Sequence, residues 1–346
     1  MKWTLTSLPS EITEEITKSY QIKNKARYRQ RAIASKEMTG AGAGLFSTAP
    51  AVASKIDAQV KESKVIWGTD NYESLGKEYK FKKPIHDLSV IIPRVEKSKE
   101  AQKKRSKEKA EVFTPSWVCN LQNNLIDDEV VYPGAFNTTD SSNQKLWIPS
   151  KEKIDFSKAS ISWIEYIADK RLEATAGEGP YLMSPYDTTT GANIPVRDEE
   201  GRFQRIGLLD RKLRVVTENA NEKSWVNFAK IALHATFGYE WQGDNLLLAR
   251  LNFLNTFRDY YKDFFNSEPS EDLLLEVAEI ASWNLWQMDG LKMVVPLSCS
   301  SDCQACFKKK NGGHDGEVSL IRWFTELRTF EEMLPSDRFD LSKKKN

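Results

Sequence analysis

The chain is predicted to be an α/β protein with a mostly parallel sheet, and three observations carry that expectation. From about residue 111 onward, strand-like and helix-like patterns alternate, as a parallel sheet with helical crossovers requires. Three strand candidates end on or beside an acidic residue, Glu173, Glu240 and Asp289, and sheets of this kind bind ligands beyond the carboxyl ends of their strands. The first of the three runs into Gly177-Glu178-Gly179. Such a turn brings bare backbone close to a ligand, because glycine lacks a Cβ and tolerates φ > 0.

In chain order, residues 1–110 differ from the rest. They are rich in Lys, Glu, Ser and Ala and are expected to form a largely helical, basic N-terminal extension. The stretch Thr39-Gly40-Ala41-Gly42-Ala43-Gly44 reads as a loop, because no Lys-Ser/Thr pair follows it, as a phosphate-cradling loop demands. Residues 94–109 hold eight basic and three acidic side chains. Such a run either grips DNA phosphates or forms a solvated helix face. A helix is expected over Ile206–Val216, on the spacing of Leu209, Leu213 and Val216, and another over Trp225–His234. The aromatic run Phe237–Trp241 predicts a short strand. Asp244 is placed to cap a long helix reaching Phe265, with Leu247, Leu251, Leu254, Tyr261 and Phe264 on its buried face. A helix over Ser270–Ala281 and a strand over Trp283–Met288 complete the alternation. The expected organisation is therefore an extension over 1–110, a ligand-binding domain over 111–295 and a Cys/Lys-rich segment over 296–346.

Composition narrows the function classes. The 346 residues include 10 Trp and balance 50 basic against 49 acidic side chains, so any nucleic-acid contact must come from a local patch. No apolar run approaches the roughly 18–20 residues of a membrane span, and residues 1–20 lack the pattern of a secretory signal. Four cysteines are too few for a disulfide scaffold of this size; a reducing cytoplasm is the expected setting.

Four segments stand in order: Glu111-Val112-Phe113-Thr114-Pro115-Ser116-Trp117, then Glu173 with Gly177 and Gly179, then Tyr239-Glu240-Trp241-Gln242-Gly243-Asp244, then Gln287-Met288-Asp289-Gly290. Together they resemble the amino-methylating DNA adenine methyltransferases, in particular the "restriction endonuclease subunit M" type of restriction–modification systems, over roughly residues 90–295. The resemblance implies a Rossmann-like class I methyltransferase sheet that binds S-adenosylmethionine. It implies that Phe113, Thr114 and Pro115 pack on the methionine part, with Glu173, Gly177 and Gly179 as the floor beneath it. Glu240 would accept from the ribose hydroxyls, a task suited to a carboxylate because it offers acceptors only, and Asp289 from the adenine amine. The implied activity is methylation of adenine N6. The implied partners are double-stranded DNA and a restriction or specificity subunit, with no membrane.

The chain also departs from that pattern. The family carries an Asp/Asn/Ser-Pro-Pro-Tyr/Phe loop after the fourth segment, whose polar residue and prolyl carbonyl hold the target amine while its ring stacks on the flipped base. No Pro-Pro pair occurs in these residues. Ser184-Pro185-Tyr186 is the nearest text match, and Asn284 and Trp286, beside the strand leading to Asp289, are the best local candidates. Glu240 lies 61 residues beyond Gly179, against about 20 in nucleotide-binding folds; an insertion over Thr188–Phe203 accounts for part of this. Where the loop is expected, the sequence has Cys299, Cys303 and Cys306, with His314 beyond. That set either forms a tetrahedral zinc site or consists of ordinary thiols. Lys308–Lys310 beside it reads as a phosphate contact or a solvated loop. Two functions therefore stay open: an S-adenosylmethionine-dependent DNA adenine methyltransferase, or a catalytically incomplete subunit of the same fold whose partner supplies the loop. A nuclease reading lacks clustered carboxylates with a nearby lysine.

Overall fold

Three short strands, β5 (Arg171–Glu173), β6 (Thr236–Glu240) and β7 (Leu285–Gln287), pair in parallel in the order β5-β6-β7. A computed structural model describes residues 4–22, 60–109 and 111–288; among them the chain is a mixed α/β protein with seven strands in small sheets and eight α-helices. Every residue of β6 is buried, the continuous pattern of a central strand covered on both faces. Parallel neighbours need a crossover, and here each crossover carries two helices. Helices α5 (Leu208–Asn219) and α6 (Trp225–His234) lead from β5 to β6, and α7 (Gly243–Phe265) and α8 (Glu271–Asn284) from β6 to β7.

The helix boundaries have local causes. Ser270 accepts the Leu273 amide as the N-cap of α8, and α7 stops where Asn266 turns left-handed at φ 51°. Trp225 at the start of α6 packs on Phe257, Tyr261, Phe264 and Phe265 of α7. From Gly243 to Arg258, α7 is buried on nearly every side, so the one-sided stripe expected from its leucines is too narrow. Polar groups inside it are spent on neighbouring backbone. Arg250 donates to the carbonyls of Ile16, Lys18, Ser282 and Leu285. Asp244 does not cap the helix; Gln242 takes that position, and the Asp244 carboxylate serves an internal ion cluster described below. Trp283 and Asn284, expected in a strand, close α8 instead.

The described part of 1–109 holds α1 (Ser10–Ile16), α2 (Lys99–Lys109), an antiparallel pair of β1 (Lys18–Ile22) with β2 (Val60–Lys64) and three 3-10 turns. It packs into the same apolar core as the rest: Ile12, Ile16, Val65, Trp67 and Ile85 join Leu247, Phe253, Val277 and Leu285. Between α2 and the sheet come α3 (Ser116–Val130), the pair β3 (Asn137–Thr139) with β4 (Trp147–Pro149), and α4 (Trp163–Ala168), opened by a Ser162/Glu165 capping box. Buried Arg211 of α5 ties α3 to the sheet layer by donating to Asp127, Asn120 and Asn124. No helix among the described residues is long and apolar enough to cross a membrane.

The long interval between Gly179 and Glu240 has two sources. Residues 184–205 make an excursion pinned by the bridges Tyr186↔Asn193 and Arg197↔Phe203, and the crossover then carries two helices where one would suffice.

Candidate functional site

A cavity of about 750 Å3 opens at the carboxyl ends of β5 and β6, within the range of about 300–1,000 Å3 usual for ligand pockets. Its wall includes Phe113, Thr114, Glu173, Gly177 and Glu240, which come from three segments far apart in sequence. Two of the predicted residues stand behind that wall. Pro115 is the N-cap of α3. Gly179, at φ +82°, faces Met183 and Ala249 of the core. Asp289, the zinc candidates Cys299, Cys303, Cys306 and His314, the Lys308–Lys310 run and the Thr39–Gly44 stretch lie outside the described residues. Among the described residues no His, Cys, Asp or Glu cluster has metal-site geometry, and Cys119 is a buried free thiol.

The glycine turn is locked from two sides. The Gly177 amide donates to Glu240 Oε2 at 2.7 Å, and the Gln242 amide donates to Glu240 Oε1 at 2.7 Å. The turn therefore hangs on the end of the neighbouring strand. Gly177 sits at φ +56°, and a Cβ there would meet the Phe113 ring at 3.6 Å, an ordinary contact. Glycine is demanded here by the left-handed backbone rather than by lack of room. Glu178, which the sequence reading passed over, is buried inside the turn; its carboxylate accepts the Arg94 amide at 2.7 Å and the Tyr186 hydroxyl at 2.6 Å.

Phe113 and Thr114 are held in place by the excursion. Asp187 accepts the Ser116 amide at the start of α3, and the Thr188 hydroxyl donates to the Thr114 carbonyl. Hydroxyls and amides around Asp187 overcome its burial and hold its carboxyl well below the usual range. Asn123 fixes α3 against the turn through the carbonyls of Tyr181 and Ile206.

The charge of the cavity wall is its most specific property. Glu111, Glu173 and Glu240 line it, with the aromatic rings of Phe113, Tyr181 and Trp241, and no Lys, Arg or His stands among the lining residues. Glu173 keeps part of its surface exposed, yet its Oε2 is shut off from solvent without a hydrogen-bond partner. Burial first, and then the neighbouring Glu240 charge, drive its carboxyl well above the usual range. Burial pushes the Glu240 carboxyl up to about 7 against the two amides that favour its charged form. Glu111 is steadied from behind: Arg105 Nε donates to it at 2.6 Å and Asn245 Nδ2 at 3.3 Å.

Arg105 and Lys97, counted from sequence in a basic run that either grips DNA or faces solvent, turn inward. Arg105 is 3% exposed and its Nη1 lies 2.8 Å from Asp244, which also meets Lys97 at 3.3 Å and the Tyr72 hydroxyl at 2.8 Å. Burial opposes the Asp244 charge, but these two cations hold its carboxyl far below the usual range. The run is thus divided, with Lys99, Lys103, Lys104 and Lys107 exposed and Lys97 and Arg105 internal.

The local stand-ins for a catalytic loop are spent elsewhere. Ser184 accepts the Ile206 amide and donates to Asp210 in the core, and the Tyr186 hydroxyl serves Glu178. Asn284 donates to the carbonyls of Leu233, His234 and Thr236 beneath the sheet, and Trp286 is buried against Phe237 and Tyr239. None of these four lines the cavity. Glu111, Trp241, Gln242 and Asn245 do line it; the first three lie within the four motif segments and Asn245 directly follows the third. No protein-family model, no curated protein and no solved structure matches the chain.

Proposed function

We propose that this chain carries the S-adenosylmethionine site of a DNA adenine N6-methyltransferase of the restriction–modification type. The observation that supports it best is the charge of the cavity: three carboxylates, three aromatic rings and no cation in the lining. A nicotinamide dinucleotide or ATP brings phosphates, for which the lining supplies no Lys, Arg or His. S-adenosylmethionine brings a sulfonium, an amine, two ribose hydroxyls and an adenine ring, which ask for anions, acceptors and stacking surfaces. The order β5-β6-β7 is compatible with one wing of a doubly wound sheet, whose strands run outward from the ligand-binding crevice.

When bound, S-adenosylmethionine supplies an electrophilic methyl group on a positively charged sulfur. Glu173 would face the amine or sulfonium, whose positive charge favours the ionised form that burial opposes, and its Oε2 is otherwise unmatched. Glu240 keeps lone pairs for the ribose hydroxyls beyond those used by the Gly177 and Gln242 amides. Phe113, Tyr181 and Trp241 offer apolar faces and shield the site from water. Adenine's amine is a weak nucleophile, and transfer needs acceptors that orient it as positive charge develops. The sequence holds no Pro-Pro-aromatic loop for that task, so a partner subunit is assigned to supply it.

The test is paired. Equilibrium dialysis with methyl-labelled S-adenosylmethionine should show retention by the isolated chain. The same protein should transfer little or no label to adenine N6 in mixed-sequence duplex DNA, read by mass spectrometry. Absence of retention by folded protein would remove the reading, and robust turnover by the chain alone would remove the need for a partner.

A further inference from the structure

A second recess of about 570 Å3 lies beside the cavity, bounded by Arg94, Lys99, Gln102, Lys103, Ser106 and Lys107. Four of its six lining residues are cations and none is a carboxylate. Lys99, Lys103 and Lys107 follow one another at i, i+4, i+8 on α2, so they form a row on one face. The row extends about 12 Å along the helix. All three are exposed. This separates them from Lys97 and Arg105, whose charges are satisfied internally.

Arg94 closes the inner end. Its backbone amide is held by Glu178 at 2.7 Å, so the residue is anchored to the glycine turn. Its guanidinium lies 5.2 Å from the Phe113 ring centroid, within cation–π range. Among the described residues it has no carboxylate at ion-pair distance; its Nε is shut off from solvent without an acceptor, and Nη2 meets only Ser106 Oγ at 3.4 Å. A planar fork of donors with one buried N–H unmatched, set at the end of a lysine row, lacks one component: an acceptor with several oxygens.

We propose that this recess binds the sugar–phosphate backbone of duplex DNA, with Arg94 gripping one phosphate and Lys99, Lys103 and Lys107 the ones beside it. A row of point charges in an open recess suits a polymer with phosphates at regular spacing, whereas a small phosphate metabolite calls for an enclosed cradle. The site develops the DNA part of the proposed function and needs nothing from the cofactor part. It brings the backbone to the outer face of Phe113, whose ring also lines the carboxylate-walled cavity.

The experiment is fluorescence anisotropy with a labelled duplex of about 20 base pairs at several salt concentrations, with no S-adenosylmethionine present. A failure of cofactor binding therefore leaves it intact. The wild-type chain should bind, with log affinity falling linearly in log salt. The double variant Lys103→Glu, Lys107→Glu changes only exposed helix positions, so it should fold. It should lose at least tenfold in affinity, and the salt slope should become shallower by about two. Arg94→Gln should flatten the slope by about one, while Lys151→Glu with Lys153→Glu, exposed elsewhere, should change binding little. No duplex binding by the wild type, capture of phosphatidylserine vesicles instead of DNA, or equal losses in the recess and control variants would each overturn the proposal.

Discussion

Glu240 ends the central strand, receives the two amides that shape the glycine turn and faces the cavity. With its carboxyl raised to about 7, the charged form grows as pH rises through that value. Affinity for a cationic ligand should therefore rise with pH by up to roughly tenfold per unit below 7 and level off above it. Titrations of S-adenosylmethionine between pH 5.5 and 8.5 read this directly, and a flat profile counts against Glu240. Gly177 is the second decisive residue. Since a Cβ there has room but the backbone is left-handed, Gly177→Ala should cost about 1–2 kcal/mol of stability, seen in urea unfolding, and Gly177→Val more. Glu173, Gly177 and Glu240 were legible because a strand end followed by glycines or a carboxylate has few structural readings. Glu178 was not, because an acid between two glycines looks solvent-facing until Arg94 and Tyr186 arrive from distant segments. Gly179 shares the sequence signal of Gly177 but turns to the core, and only the fold separates the two.

Helix α2 shows how one basic run is divided between two tasks. Arg105 sits between Glu111 of the cavity wall and Asp244 of α7, so removing it leaves buried Glu111 without its cation and Asp244 with Lys97 alone. Arg105→Ala should destabilise the fold by about 3–5 kcal/mol, while Lys104→Ala, one residue earlier and exposed, should stay within about 0.5 kcal/mol of wild type. Chemical denaturation of the two variants checks the contrast; equal midpoints would mean that the buried cluster contributes nothing. Sequence cannot make this division, because lysines and arginines in one run carry the same signal until packing turns some of them inward. The span of α6 and the extent of α7 were legible in the sequence, whereas α8 runs three residues past the expected end at Ala281. The strand expected over Trp283–Met288 was legible only in part, because its first two residues extend α8, where the two N–H of the Asn284 amide are shared among three carbonyls.

Across the whole molecule, buried charge makes the apoprotein sensitive to pH from both sides. Glu240 is raised in the fold from 4.5 to about 7. Its stabilising share is complete below about 4.5 and is lost as pH rises to about 7. Asp244 is depressed, so its share is present above the ordinary carboxylate range of roughly 4 and is lost on further acidification. Together these two contributions are largest near pH 4–5, and Glu240→Gln should remove about 2–3 kcal/mol of the fall between pH 4.5 and 7, measurable as a flatter pH dependence of the urea midpoint. The α/β alternation was legible because helix and strand periods differ. The antiparallel pair β1–β2 was not, since its partners, such as Ile22 and Val60, come from separate stretches of the chain, nor was the sharing of one core by the first and later segments, which depends on contacts hundreds of residues apart, such as Gln287 with Ile66. The cavity's selectivity joins these observations, and isothermal titration calorimetry at pH 8 puts it to the test with S-adenosylmethionine, NAD and ATP in turn. S-adenosylmethionine should saturate a single site that Glu240→Gln weakens at least tenfold, with no heat from NAD or ATP. Tighter binding of either phosphate-bearing nucleotide, or no binding of S-adenosylmethionine by the folded chain, would contradict the assignment of this cavity.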